Sequence, residues 1–82
     1  MTLSDFTKGL DILRKYYDDP DGYCLGAEHD IIYVYATDKP VSAEDLEQLF
    51  AMNWFQPDVD TGDEDLPKVE QYDPEEGWGA FV

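Results

Sequence analysis

Basic residues are scarce in this chain. Five lysines and arginines stand against twenty aspartates and glutamates, which gives a formal net charge of −15 over 82 residues. A surface with that balance repels the phosphates of nucleic acids and the anionic headgroups of membranes. The composition therefore argues against direct binding to either, and it favours a basic protein as the partner, for example one that normally binds nucleic acid.

Cysteine and long hydrophobic runs are also scarce. The single cysteine, Cys24, excludes an internal disulfide bond, which is typical of a protein from the reducing cytosol. The longest apolar run, residues 31–36, is too short to cross a bilayer, and the N-terminal residues show no signal-peptide pattern. We therefore expect a cytoplasmic protein that has no membrane partner.

Motifs of enzymatic chemistry are missing as well. The sequence has no glycine-rich phosphate loop, no serine elbow and no dinucleotide fingerprint. Cys24, His29 and Asp30 are residue types that can serve as nucleophile, base and orienting acid. However, a cysteine in a strand is more often a small buried hydrophobe, and a histidine at a turn is usually solvated. We expect no catalytic residue and no cofactor, and two soft ligands are too few for structural zinc.

The acid-rich run at residues 58–65 is a candidate for calcium, which prefers clustered carboxylates on a flexible loop. An EF-hand loop that starts at Asp58 needs glycine at its sixth position and glutamate at its twelfth. Here Gly62 is fifth and Val69 is twelfth, and a start at Asp60 fits no better. The spacing thus predicts no EF-hand and no metal ligand, and a looser divalent-ion site is left as an alternative.

Hydrophobic patterns predict two helices in one domain over residues 1–82. A helix at about residues 4–17, with Ser4 or Asp5 as its cap, follows from apolar residues at helical spacing: Phe6, Leu10, Leu13 and Tyr17. Gly9 within it weakens the helix by roughly 1 kcal/mol relative to alanine, which indicates a close packing contact. Ser42 predicts a second helix from about residue 43, with Asp45 among its water-facing residues.

Residues 31–35 are the strongest strand candidate, because they are β-branched or aromatic throughout and apolar on both faces. Such a strand is expected at the centre of a sheet. Shorter strands are predicted at residues 23–25 and 77–82, with a hairpin loop at 26–30, and residues 68–72 are expected as a loop or a frayed edge strand. The predicted fold is α+β, a small antiparallel sheet of about three strands packed against two helices.

The acidic residues are unevenly distributed along the chain. Residues 1–40 hold eight acids and four bases, a net charge of −4, whereas residues 41–82 hold twelve acids and one base, a net charge of −11. Stability alone gives little reason to concentrate like charges. We therefore interpret residues 58–76, the acidic segment, as a surface for a basic partner. Its candidate binding residues are Asp58, Asp60, Asp63, Glu64, Asp65, Glu70, Asp73, Glu75 and Glu76.

A second interpretation assigns the binding role to aromatic residues and leaves the charge to solubility alone. Trp54 and Tyr72 are the candidates for partly exposed anchors, because tryptophan and tyrosine are common at the centres of protein interfaces. An aromatic ring beside carboxylates also suits an arginine, which can stack and form ion pairs at once. On this interpretation the chain is a small accessory or assembly protein.

Three short strings of the sequence carry a resemblance: AEHDIIY at residues 27–33, NWF at 53–55 and GWGAFV at 77–82. With the serine-capped helix and the acidic spacer between them, they resemble small uncharacterised acidic proteins carried by phages and prophages. Strongly acidic phage proteins include anti-restriction and anti-CRISPR inhibitors, some of which mimic nucleic acid. The resemblance implies a phage context and assigns no functional residue. The acidic face itself suggests the mechanism, because a compact domain with a face of carboxylates can compete for a phosphate-binding groove.

Overall fold

The computed structural model describes residues 1–19, 25–28, 30–59 and 65–81, which form two helices and a three-stranded antiparallel sheet. In chain order the elements are α1 (Leu3–Arg14), β1 (Leu25–Glu28), β2 (Ile31–Val34), α2 (Ala43–Ala51), a short 3-10 helix (Lys68–Gln71) and β3 (Trp78–Phe81). The predicted α+β class is confirmed. No helix in the described residues is long and apolar enough to span a membrane.

α1 is capped by Thr2 instead of the predicted Ser4 or Asp5. The Thr2 hydroxyl accepts a hydrogen bond from the amide of Asp5 at 3.0 Å, which satisfies one of the unpaired amides of the first turn. The helix is also shorter than predicted at its far end. There the carbonyl of Tyr16 accepts hydrogen bonds from the amides of residues 38 and 39, at 3.0 and 3.2 Å. This pairing ties the end of α1 to the loop after β2.

α2 begins where the sequence predicts. The hydroxyl of Ser42 accepts a hydrogen bond from the amide of Asp45 at 3.3 Å and caps the helix. The helix ends where Asn53 adopts a left-handed backbone conformation with φ of 67°, which asparagine tolerates better than most residues. The amide of Trp54 then donates to the carbonyl of Leu49 at 3.0 Å, and the indole turns into the core.

β2 lies between β1 and β3, so its predicted central position is confirmed. β1 differs from the prediction, because Gly26 and Ala27 belong to the strand and not to a hairpin loop. The ladder extends to the pair of Glu28 with Ile31 beside the turn, so backbone pairing outweighs the low strand propensity of glycine and alanine. The predicted strand residues 23 and 24 lie outside the described residues.

One hydrophobic core joins both helices to the inner face of the sheet. Its buried side chains are Leu13, Val34, Val41, Leu46, Leu49, Trp54, Trp78 and Ala80. Trp78 reaches from β3 to α2, where its ring centroid lies 5.4 Å from that of Phe50. Burial of each large apolar side chain contributes roughly 1.5–3 kcal/mol, so this layer accounts for much of the stability of so short a chain.

The outer face of the sheet is also apolar. Phe55 forms a bridge with Gly79 of β3, with backbone hydrogen bonds of 3.1 and 2.7 Å, and its ring stacks on Phe81 with centroids 5.0 Å apart. We call residues 55–57 the strap, because they run along β3. A side chain at position 79 would come within 2.8 Å of Pro57 Cγ, which explains the glycine there. The strap therefore occupies the edge of the sheet next to β3.

Residues 68–72 do not form a frayed edge strand, which is one of the two structures that the sequence predicts for them. Residues Lys68–Gln71 form a 3-10 helix after Pro67, whose carbonyl accepts a hydrogen bond from the amide of Glu70 at 3.0 Å. The prediction fails because the strap already pairs with β3, so this segment instead packs Val69 and Tyr72 against the core.

Candidate functional site

Six of the nine predicted acids of the acidic segment belong to the described residues. Asp58, Asp65, Glu70 and Glu75 are exposed, whereas Asp73 and Glu76 are partly buried. Asp60, Asp63 and Glu64 lie outside the described residues. In the described part, therefore, most of the predicted carboxylates do face solvent.

Gln56, in the middle of the strap, holds the turn at residues 73–76 in place. Its Nε2 donates to the carbonyls of Asp73 and Glu76, at 2.8 and 3.2 Å, and its Oε1 accepts from the amide of Asp73 at 3.0 Å. The side chain is only 2% exposed, so these bonds are shielded from water. The carboxylate of Asp73 accepts from the amide of Glu75 at 2.9 Å, so it stabilises its own turn. This arrangement fixes where the turn at residues 73–76 lies relative to the strap.

A groove of about 250 Å³ opens between the end of β2, the strap and this turn. We call it the tyrosine groove, and its lining residues are Tyr33, Val34, Tyr35, Ala36, Pro57, Asp58, Glu75, Gly77 and Trp78. Two of the predicted acids line it, Asp58 directly after the strap and Glu75 from the turn. Asp65, Glu70, Asp73 and Glu76 do not line it. Within the part of the chain that the structure describes, the acidic segment thus contributes a pair of carboxylates to this groove.

The tyrosine groove carries negative charge without a matching base, because its described lining includes no lysine or arginine. Two ion pairs between described residues lie outside the groove, between Lys15 and Asp45 at 2.9 Å and between Lys39 and Asp18 at 3.3 Å. Lys68, the one base of the acidic segment, has its Nζ 6.0 Å from the ring centre of Phe50. A cation arriving from solution would therefore meet two carboxylates beside two tyrosine rings.

The two tyrosines of the groove, Tyr33 and Tyr35, are not among the binding residues predicted from the sequence. Tyr33 is partly buried and Tyr35 is 59% exposed. Residues two apart in a strand lie on the same side of it, so their spacing already placed both rings on one face. The sequence pattern does not specify which face of the sheet the helices cover. The helices cover the face on which Val34 is buried, so the two tyrosines lie on the opposite, outer face.

The prediction that Trp54 offers an exposed ring is wrong. The side chain is 1% exposed, its ring stacks on Phe6 with centroids 5.7 Å apart, and its Nε1 donates to the carbonyl of Asp5 at 3.3 Å. Tyr72 is partly buried: it stacks on Trp78, and its hydroxyl accepts a hydrogen bond from the amide of Val41 at 3.0 Å. Substitution of Trp54 would therefore destabilise the core, so a loss of binding in such a variant would not identify an interface.

Asp45 forms a second polar cluster, between the helices. The prediction that it faces water is wrong: it is 9% exposed, and its Oδ2 accepts hydrogen bonds from the hydroxyl of Tyr16 and, at 2.9 Å, from Lys15 Nζ. These bonds, first that from Tyr16 and then that from Lys15, hold the pKa of Asp45 below its ordinary value of 3.8. The hydrogen bond to Asp45 in turn raises the pKa of Lys15. Because every group here has a partner, we assign the cluster to joining α1 and α2.

Replacing Asp45 by asparagine should lower the free energy of unfolding by about 1–2 kcal/mol at pH 7, because the charged hydrogen bonds weaken. A carboxyl whose pKa is lowered by folding stabilises the protein above its ordinary pKa, and this contribution fades as the pH falls through the lower, folded value. The difference between wild type and Asp45→Asn should thus be constant from about pH 5 to 7 and shrink below about pH 4. Urea unfolding followed by circular dichroism measures it.

Asp11→Asn is the matched control, since Asp11 is exposed on α1 and its loss changes the net charge equally. Both variants lose one negative charge and should gain equally from reduced repulsion. The difference between their changes in the free energy of unfolding therefore measures the contribution of the Asp45 cluster. A difference between wild type and Asp45→Asn that stays constant down to pH 2.5 would contradict the lowered pKa.

No group of three or more histidine, cysteine, aspartate or glutamate side chains that could hold a metal ion occurs among the described residues. Most of the acid-rich run considered for calcium, residues 60–64, lies outside them, as do Cys24 and His29. The described lining of the tyrosine groove offers two carboxylates, fewer than the six to eight oxygen ligands that calcium takes. Its chemistry therefore suits an organic cation better than a metal ion.

Comparisons with protein-family models, with curated proteins and with solved structures found no match to this chain. The tyrosine groove, with Asp58 and Glu75 beside two tyrosines, is accordingly the feature on which a functional assignment rests.

Proposed function

We propose that this chain is a non-enzymatic binding protein that engages a basic protein surface through its acidic segment. The observation that carries the proposal is the meeting of Asp58 and Glu75 in one groove whose described lining has no base. Asp65 and Glu70 add exposed charge in the same segment. Such a surface attracts basic partners over a distance of about 10 Å at 0.1 M salt and repels acidic ones.

An inhibitory role follows if the partner's basic surface normally holds DNA or RNA. Carboxylates of a small folded domain can then take the place of the backbone phosphates, whose charges repeat every roughly 1.7 Å along a duplex. Strongly acidic phage proteins, which this chain resembles in size and charge, include inhibitors of this kind. Added duplex DNA should compete with the chain for such a partner.

The proposal predicts salt-dependent capture of a partner by the tagged chain from lysate. Retention should be strong at about 0.1 M salt and fall sharply at about 0.5 M, because screening shortens the reach of exposed charges. A variant in which Asp58, Asp65, Glu70 and Glu75 become amides should capture at least about fivefold less of the same protein. The matched control converts four exposed acids outside the segment: Asp11, Asp30, Glu44 and Glu47. Equal loss in both variants, or retention that ignores salt, would contradict the proposal.

A second candidate function uses the outer face of the sheet. Tyr35 and Phe81 are 59% and 57% exposed, and Phe55 extends the same apolar surface. An accessory or assembly protein could dock through these rings, with the charge serving only solubility. In that case capture would survive 0.5 M salt and would be lost in Phe81→Ser rather than in the amide variant.

A further inference from the structure

We propose that the tyrosine groove holds an arginine side chain presented by the basic partner. This inference rests on the proposed function and names the group that the site recognises. The groove combines an exposed ring, Tyr35, with two exposed carboxylates, Asp58 and Glu75, on its border. Each part matches one property of a guanidinium group.

Arginine fits these parts better than lysine does. Its guanidinium is planar and weakly hydrated, so one face can lie on a tyrosine ring while the N–H groups along its edge point at carboxylates. Five N–H donors allow it to serve Asp58 and Glu75 together, whereas the ammonium of lysine is a compact, strongly hydrated point charge. The apolar lining of the groove, which includes Val34 and Pro57, suits the methylene stem of the arginine.

The size of the groove and its two carboxylate acceptors favour a single side chain that carries N–H donors over other occupants. Its volume of about 250 Å³ lies below the roughly 300–1,000 Å³ typical of pockets for small molecules and cofactors. A quaternary ammonium group has no N–H donor for the two carboxylates and is typically held in a cage of aromatic rings. A single side chain entering from the surface of another protein is the occupant that fits both the volume and the charge.

The apolar surface beside the groove favours a protein as the source of that arginine. Phe55 and Phe81 continue from the groove along the outer face, so residues next to the arginine would find aromatic contacts there. Interfaces commonly combine an arginine or aromatic anchor with surrounding apolar contacts that exclude water. The charge of −15 on the chain complements a basic segment of a partner.

Fluorescence anisotropy with labelled hexaarginine and hexalysine peptides, at equal charge and about 0.05 M salt, tests the inference. We expect hexaarginine to bind wild type at least about fivefold more tightly than hexalysine. The double variant Asp58→Asn/Glu75→Gln should weaken hexaarginine binding about tenfold, because both acceptors lose their charge. Tyr35→Ser should reduce the preference for arginine about threefold, and Tyr35→Phe, which keeps a ring, should retain it.

Glu44→Gln/Glu47→Gln is the control, with the same loss of two charges on the exposed face of α2. It should change hexaarginine binding less than twofold, since these acids lie outside the groove. All these substitutions are at exposed side chains, so circular dichroism should show folded variants. Equal affinity for the two peptides, equal losses in the two double variants, or no binding of hexaarginine would each overturn the inference. Salt-dependent capture of a basic protein, combined with any of these results, would leave the proposed function standing without it.

Discussion

Replacing Gln56 by alanine should lower the free energy of unfolding by about 3 kcal/mol, a large share of the roughly 4–12 kcal/mol expected for a chain of this length. The side chain is 2% exposed and makes three hydrogen bonds to the backbone of Asp73 and Glu76. Its removal takes the glutamine partner from one amide and two carbonyls beside a new cavity, and of these three groups the Asp73 carbonyl still accepts a hydrogen bond from the amide of Glu76 at 3.2 Å. Urea unfolding followed by circular dichroism measures the change.

Two further glutamine substitutions make this prediction specific. Gln48→Ala removes an exposed glutamine of α2 and should change stability by less than about 0.5 kcal/mol. Gln56→Glu keeps the shape but replaces the donor Nε2 with an oxygen facing two carbonyls, so it should destabilise at least as much as alanine. If Gln56→Ala had the same urea midpoint of unfolding as wild type, the strap and the turn would stay together without this side chain, and the prediction would be wrong.

Replacing Gly9 by alanine should destabilise the protein by about 2 kcal/mol, although alanine is the better helix former by roughly 1 kcal/mol. A methyl group at position 9 would lie 2.7 Å from Cδ1 of Trp54 and closer still to its Nε1 and Cε2. The indole cannot retreat, because it is 1% exposed and is packed flat against Phe6. Steric overlap in a filled core therefore outweighs the gain in helix propensity. Thermal and urea unfolding give the magnitude.

Gly26 provides the matched control, because a methyl group there would meet nothing within 4 Å. Gly26→Ala should be within about 0.5 kcal/mol of wild type. A double-mutant cycle of Gly9→Ala with Trp54→Phe adds a second check. The smaller ring should relieve part of the overlap, so the two changes should cost less together than the sum of their separate effects. Strict additivity, or a Gly9→Ala variant more stable than wild type, would rule out the proposed overlap.

Features governed by short-range chemistry could be predicted from the sequence. Ser42 caps α2 because an N-cap needs only a hydroxyl next to the first turn, and β2 lies at the centre of its sheet because both of its faces are apolar. The close contact at Gly9 was also expected. Glycine weakens a helix, so its presence inside one indicates a position where packing leaves no room for a side chain. In each case the signal lies within a few residues of the feature.

Features that depend on distant partners could not be predicted. Asp45 is buried because the groups that donate hydrogen bonds to its carboxylate, Tyr16 and Lys15, stand 29 and 30 positions earlier in the chain. Trp54 points inward because the left-handed backbone of Asn53 redirects the chain, and no local pattern specified that turn. The groove was missed for the same reason: Asp58 and Glu75 line it together because Gln56 binds the turn at residues 73 and 76, seventeen and twenty positions further along the chain.

The fully buried hydrophobic residues described above come from residues 13–54 and from β3, and none of the described residues between Pro57 and Gly77 is among them. The acidic segment is thus carried by a scaffold whose packing does not depend on the segment's exposed side chains. Mutational drift or laboratory selection could rewrite the charges of that segment, and so retarget the domain, while the scaffold stays intact.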